Sequence, residues 1–173
     1  VRQRDDVVGI DGCTVTHASL WKASGHVENF TDPLVECRRC HKHFRADHLI
    51  EDALGIAVDG ITGEQVNEII KRHGLKCPEC KGDLTSVRAF NLMFKTFVGA
   101  VEDEAHLAYL RPETAQLIFA NFKLVMESSR LRPPFGIAQM GRVYRNEISP
   151  RDFLFRMREF EQMEIEYFVH PEK

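Results

Sequence analysis

Two sets of side chains in this sequence have the types and spacing for chemistry. Between Phe135 and Phe168, Arg142, Arg145, Arg151, Arg156 and Arg158 are interleaved with Glu147, Glu159, Glu161, Glu164 and Glu166. Guanidinium forks match phosphate oxygens, a carboxylate accepts from an amino or ammonium group, and the Phe160 ring offers a face to a base. The mixture therefore suits a polyphosphate, a purine and an ammonium group. The plainer alternative is a solvated, salt-bridged pair of strands.

The second set is sulfur. Four of the five cysteines form two pairs, Cys37-x-x-Cys40 and Cys77-x-x-Cys80. Thiolates at this spacing sit on two knuckles that together complete a tetrahedral zinc site, and four closed thiolates make it structural rather than catalytic. Disulfides do not suit a cytosolic chain, and a redox dithiol needs only one pair within a thioredoxin-like setting. Unmetallated thiols remain the third option. His41 and His43 lie close enough to compete as ligands, but a complete cysteine set makes them surface residues. Cys13 reads as a small buried residue.

The elements that must position these groups follow from periodicity. Ser149 and Pro150 mark a turn between strand-forming runs, so a long antiparallel hairpin is predicted, 135–147 paired with 154–169. Strand alternation would put Arg145 and Glu147 on one face, and Arg156, Arg158, Phe160, Gln162, Glu164 and Glu166 on one face of the return strand. Strands are predicted near 7–10, 14–16 and 106–110. Apolar spacing predicts helices over 47–54 and 63–73, with Asp47 as a candidate cap, and a helix over 113–128 with Pro112 in its first turn and Glu113 complementing its dipole. The dense apolar run around Phe90–Phe94 predicts a buried element, and residues 102–104 an exposed acidic loop. The Ser24-Gly25-His26 triplet invites a nucleophilic reading, but no orienting acid stands at a recognisable position in the sequence.

Composition adds bounds. The 173 residues suit one domain or one plus an insert, with 43% hydrophobic and 28% charged residues. A net charge of −3 gives no global attraction for nucleic acid. No apolar run is long enough to span a membrane and no signal peptide is apparent, so a cytoplasmic location is expected.

The order Tyr144-Arg145-Asn146-Glu147, a turn, then Arg156 through Phe160 resembles motif 2 of class II aminoacyl-tRNA synthetases. With Arg111-Pro112-Glu113-Thr114-Ala115-Gln116 upstream, the string is similar to the homodimeric glycyl-tRNA synthetases from about Val7 to Phe168. The resemblance implies an α+β fold: a class II antiparallel sheet flanked by helices, with a helical zinc-knuckle insertion. The core would comprise 1–36 and 84–173, and the insertion 37–83. It also implies a fragment, with motif 1 mostly before Val1 and motif 3 and the anticodon-binding domain after Lys173.

On that resemblance Arg145 is catalytic. Arg145, Asn146, Glu147, Phe155, Arg156, Met157, Arg158, Glu159 and Phe160 bind ATP. Arg45, Glu113, Phe160, Glu161, Gln162, Met163 and Glu164 bind glycine. Mg²⁺ accompanies the ATP, Zn²⁺ sits on the four cysteines, and tRNA(Gly) and a second copy of the chain are partners. Two other functions compete: a synthetase-like binding subunit without activity or another class II synthetase, and a zinc-knuckle nucleic-acid module. Intact Arg145, Glu147, Arg156 and Phe160 oppose the binding subunit. The hairpin's carboxylates and the net negative charge oppose the nucleic-acid module.

Overall fold

The structure, a computed structural model, describes residues 4–58, 60–150 and 153–172. Arg151, which the sequence places in the charged hairpin, lies outside the described residues. In chain order the elements are β1 (Val7–Ile10), β2 (Val15–His17), α1 (Ala18–Ala23), α2 (His26–Asn29), β3 (Thr31–Glu36), β4 (His43–Arg45) and α3 (Ala46–Leu54). Then come α4 (Gly63–Arg72), β5 (Arg88–Asn91), β6 (Lys95–Phe97), β7 (Leu107–Leu110), α5 (Ala115–Ser128), β8 (Phe135–Tyr144) and β9 (Glu159–Phe168). No helix among the described residues is long and apolar enough to cross a membrane.

The chain divides into two compact units. The first comprises Val1–Glu28, Met93–Asn146 and Met157–Lys173. Its central hairpin is β8–β9, antiparallel from Phe135↔Phe168 to Tyr144↔Glu159. Alternation leaves Phe160, Gln162, Glu164, Glu166 and Phe168 half-buried on one face of β9 and exposes the residues between them. Helix α5 covers that face at one end. Ile118 and Val125 pack with Phe135 and Ile137, and the Phe122 ring lies 4.4 Å from Phe168 and 5.5 Å from Phe135. On its other edge β8 pairs with β1 in parallel, so the expected antiparallel sheet is mixed. No hairpin turn links β1 to β8, so nothing local dictates their relative direction. A second sheet, β2-β7-β6, is antiparallel throughout.

The second unit comprises Asn29–Leu92 and Glu147–Arg156. Its sheet has the order β4-β3-β5, and α3 and α4 close over it through Val35, Ala46, Leu49, Ile50, Val66 and Ile70. Helix α4 begins with a capping box, Thr62 and Gln65 exchanging side-chain to backbone bonds.

Four expectations are corrected. The hairpin strands stop at Tyr144 and resume at Glu159, so Glu147 and Arg156 are not on strands. The connecting segment is drawn instead into hydrogen bonds of the second unit: Ser149 Oγ donates to the His43 carbonyl at 3.2 Å and Arg156 reaches His48 at 3.0 Å. Helix α5 starts at Ala115 rather than 113, because the Thr114 side chain is committed to Glu164 and caps nothing. Asp47 does not cap α3. The N-cap is Arg45, and the Asp47 carboxylate accepts from the His48 N–H and from Arg45. Cys13 is exposed, in the link between β1 and β2.

Candidate functional site

In the first unit the site is built where β7 runs into α5 beside β8–β9. Arg111, only 3% exposed, ties this corner to the hairpin. Its Nε donates to the Arg142 carbonyl at 2.8 Å and its Nη1 to the Gly12 carbonyl at 2.7 Å, while its backbone carbonyl accepts from Tyr144 N–H at 2.9 Å. The guanidinium passes over Gly141, where an added Cβ would stand 2.3 Å from Nη2. Gly141→Ala should therefore dislodge a buried, doubly bonded arginine and cost about 1–3 kcal/mol of stability. A lowered urea midpoint at unchanged slope is the expected result; an unchanged midpoint contradicts it.

Past Arg111 the corner presents Glu113 and Thr114. Glu164, on β9, accepts from the Thr114 backbone N–H at 3.1 Å and from the Thr114 hydroxyl, both through Oε2. Thr114 is completely buried, so this carboxylate is held by one oxygen in a fixed place. Glu113 lies 3.4 Å from His26 Nε2. Along the same face of β9, Gln162 Oε1 is buried with no hydrogen-bond partner among the described residues. Gln139, the cross-strand neighbour of Glu164, is 2% exposed with neither amide atom bonded among them. Just past the end of β8, Arg145 continues the ladder by one bond, N–H to the Arg158 carbonyl at 2.9 Å. Its Nε donates to the Pro112 carbonyl at 3.2 Å and its guanidinium carbon stands 5.2 Å from the Phe160 ring centre.

The structure thus brings together Glu113, Arg145, Phe160, Gln162 and Glu164 from the sequence-predicted set, all within the first unit. Glu159, Glu161 and Met163 point to the opposite, exposed face of β9. Glu159 is bridged there to Arg142 at 2.5 Å, the ordinary surface role for such a pair. Asn146, Met157 and Arg158 lie in the links just beyond the strand ends. Arg111, Thr114, Gln139 and His26 were not predicted. Thr114 and Arg111 belong to a recognisable string, but Gln139 reads as any polar residue in a strand until its burial is known.

The remaining predicted residues belong to the second unit. Arg45 is engaged by Asp32 at 2.6 Å and by Asp47 through Nη2 at 2.5 Å and Nε at 3.1 Å. Burial raises the Asp32 carboxyl above its ordinary range by more than the Arg45 charge lowers it, and Asp47 and Glu147 add to the rise. Burial would raise Asp47 too, but the Arg45 hydrogen bonds hold it below its usual value. Phe155 is 94% exposed. Arg156 lines a cavity of about 420 Å³ with Phe44, Arg45, His48, Leu49, Lys76 and Lys81 among its walls.

The cysteines converge. All four Sγ atoms lie within 4.8 Å of one another, with Cys37 to Cys80 at 3.4 Å and Cys40 to Cys77 at 3.7 Å. The two knuckles repeat one geometry. Cys37 N–H donates to the Lys42 carbonyl and Cys77 N–H to the Gly82 carbonyl, while His41 N–H and Lys81 N–H close back on Cys37 and Cys77. A side chain at Gly82 would stand 3.1 Å from the Cys37 sulfur, 3.2 Å from that of Cys80 and 2.8 Å from Arg39 Cβ, so the cradle admits no bulk there. Backbone N–H groups of Cys40 and Arg39 are directed at the Cys37 sulfur, and the first of these chiefly lowers its thiol to about 6. This donor set could hold a metal ion. His41 and His43 turn outward to Glu36, at 3.0 and 3.6 Å.

The chain is similar in sequence to known proteins. Residues 96–173 match the family described as tRNA synthetase class II core domain (G, H, P, S and T). A glycine–tRNA ligase of Caldanaerobacter subterraneus subsp. tengcongensis is 52% identical over 170 residues, covering 95% of this chain and 37% of that protein. One from Agathobacter rectalis is 52% identical over 172 residues, with the same two shares. One from Pyrococcus horikoshii is 52% identical over 168 residues, covering 97% of this chain and 29% of that protein. The chain thus spans about a third of the length of these relatives.

Proposed function

From a resemblance to the class II glycyl-tRNA synthetases that holds along nearly the whole chain, we propose that the protein carrying it activates glycine with ATP and transfers it to tRNA(Gly). In this reaction the amino-acid carboxylate attacks the α-phosphorus in line. That carboxylate is already ionised, so the protein's task is positioning and neutralising developing charge. Arg145 holds the α-phosphate and the substrate carboxylate, and Phe160 stacks on the adenine. Glu147 accepts from the adenine amino group, and Arg156 reaches the outer phosphates, which Mg²⁺ accompanies. A homodimer in the cytoplasm completes the reading. Cys37, Cys40, Cys77 and Cys80 hold one Zn²⁺, which has a structural role: a tetrahedron with Zn–S bonds of about 2.3 Å has edges close to the sulfur separations found here.

The observation that carries the glycine assignment is the corner where Thr114 fixes Glu164 by one oxygen, next to Glu113 and along the strand from Gln162. Glycine has no side chain to read, so its recognition rests on the ammonium group and on excluding a Cβ. Carboxylates and an amide oxygen supply the first. A pocket too tight for a methyl would supply the second, since overfilling such a site costs more than a missing methyl gains.

Glu164→Gln keeps the shape and an oxygen for Thr114 but removes the charge. In the full-length protein it should raise the glycine KM by roughly ten- to a hundredfold, the worth of a charge-assisted contact of about 1.5–3 kcal/mol. The ATP KM should stay unchanged. A glycine KM within error of the unaltered protein would make Glu164 a structural strand residue.

A further inference from the structure

The Ser24-Gly25-His26 triplet lacks an acid in the sequence but gains one in the fold. Ser24 ends α1, its N–H bonded to the Leu20 carbonyl at 3.0 Å, and Gly25 at φ 77° turns the chain back. His26 then lies edge-on against the completely buried Trp21, ring centres 5.3 Å apart at 72°. Its Nδ1 is 2.9 Å from Ser24 Oγ and its Nε2 is 3.4 Å from Glu113 Oε1. The His26 and Glu113 side chains are only 14% and 25% exposed.

We propose that His26, steadied by Ser24 and Trp21, is a positioning residue that orients the Glu113 carboxylate toward the substrate ammonium. The inference deepens the glycine-activation reading and rests on it. Nδ1 faces Ser24 Oγ and Nε2 faces Glu113, so a proton on Nε2 is directed at the carboxylate. An imidazole N–H at that point fixes the direction in which the carboxylate oxygens face. Glu164 is treated the same way, by the hydroxyl and N–H of Thr114. His26 and Thr114 thus each steady one of the two carboxylates at this corner for the incoming cation. Ser24 itself is part-buried in the turn, where its hydroxyl donates to the Trp21 carbonyl at 3.3 Å, and it anchors the imidazole rather than meeting an incoming substrate.

The test is glycine-dependent exchange of pyrophosphate into ATP by the full-length protein. His26→Ala should raise the glycine KM by about tenfold, with the ATP KM and the rate at saturating glycine little changed. His26→Gln puts an amide N–H near the Nε2 position and should restore most of the loss. His26→Asn reaches only the Nδ1 position and should not. This pair decides the matter even if the alanine variant fails to fold. An unchanged glycine KM in His26→Ala overturns the proposal. So does a loss of glycine and ATP affinity together with a lowered melting temperature and no rescue by glutamine, which is the mark of a merely structural residue. Absence of exchange by the unaltered protein would overturn the activation reading itself; normal exchange with a normal His26→Ala overturns this inference alone.

Discussion

In the full-length protein, Arg145→Ala is expected to lower the rate of adenylate formation by about a thousandfold or more. The size follows from what the residue is asked to do. On the proposed reading it bridges the two reacting groups, so its loss removes both the approach of the carboxylate and the neutralisation of charge at phosphorus. Arg145 is also held in advance. Its Nε is bonded to the Pro112 carbonyl, its side chain lies over Phe160 and its N–H extends the β8–β9 ladder. A guanidinium placed before substrate arrives loses little freedom in the reaction, and that makes its removal costly. Arg145→Lys should recover only a small part, because a point charge on a flexible stem matches neither fork. Single-turnover formation of adenylate measures the effect. A rate within about tenfold of the unaltered protein would show that the arginine is not at the reacting atoms.

Removal of the metal should have the largest effect on stability. Apparent binding energies of structural zinc are on the order of 10 kcal/mol, comparable with the stability of a whole small domain. Metal analysis should find one Zn²⁺ per chain, and Cys77→Ser or a strong chelator should release it. The second unit has its own apolar core, from Val35 through Ile70. The expected result is therefore a loosened unit rather than a random coil, with amides of α3 and α4 exchanging far faster. Those of β8 and β9 should change little, since no ligand lies on them. Zinc content near zero with four reactive thiols would refute the assignment.

Some of this was legible in the sequence because local signals agreed with the fold. The apolar spacing of Val66, Ile69 and Ile70 marks α4 almost to the residue. Leu117, Ile118 and Val125 mark the buried face of α5. Alternation from Phe160 to Glu166 places the right side chains on one face of β9.

Elsewhere tertiary demands override the local signal. Pro33 argues against a strand, yet β3 is the middle strand of its sheet. Its pairing with β4 starts only at Leu34, so at Pro33 just one edge of the backbone is used. The predicted strands run on to 147 and resume at 154, but the link between β8 and β9 gives its side chains to other partners, Ser149 to His43 and Arg156 to His48. Thr114, inside the helix expected from the sequence, serves Glu164 instead. The link from His26 to Glu113 joins residues 87 apart in a numbering that gives no hint of it. Gln139 and Arg111 stand out only once their burial is seen, because nothing in a strand or turn pattern distinguishes a buried polar residue from an exposed one.

Glycine is the amino acid proposed to be activated. The direct measurement is exchange of labelled pyrophosphate into ATP by the full-length protein, with glycine, alanine and serine compared as substrates. Exchange with glycine, and at most a trace with the two larger amino acids, is the predicted result. No exchange with glycine, or equal exchange with alanine, would contradict it.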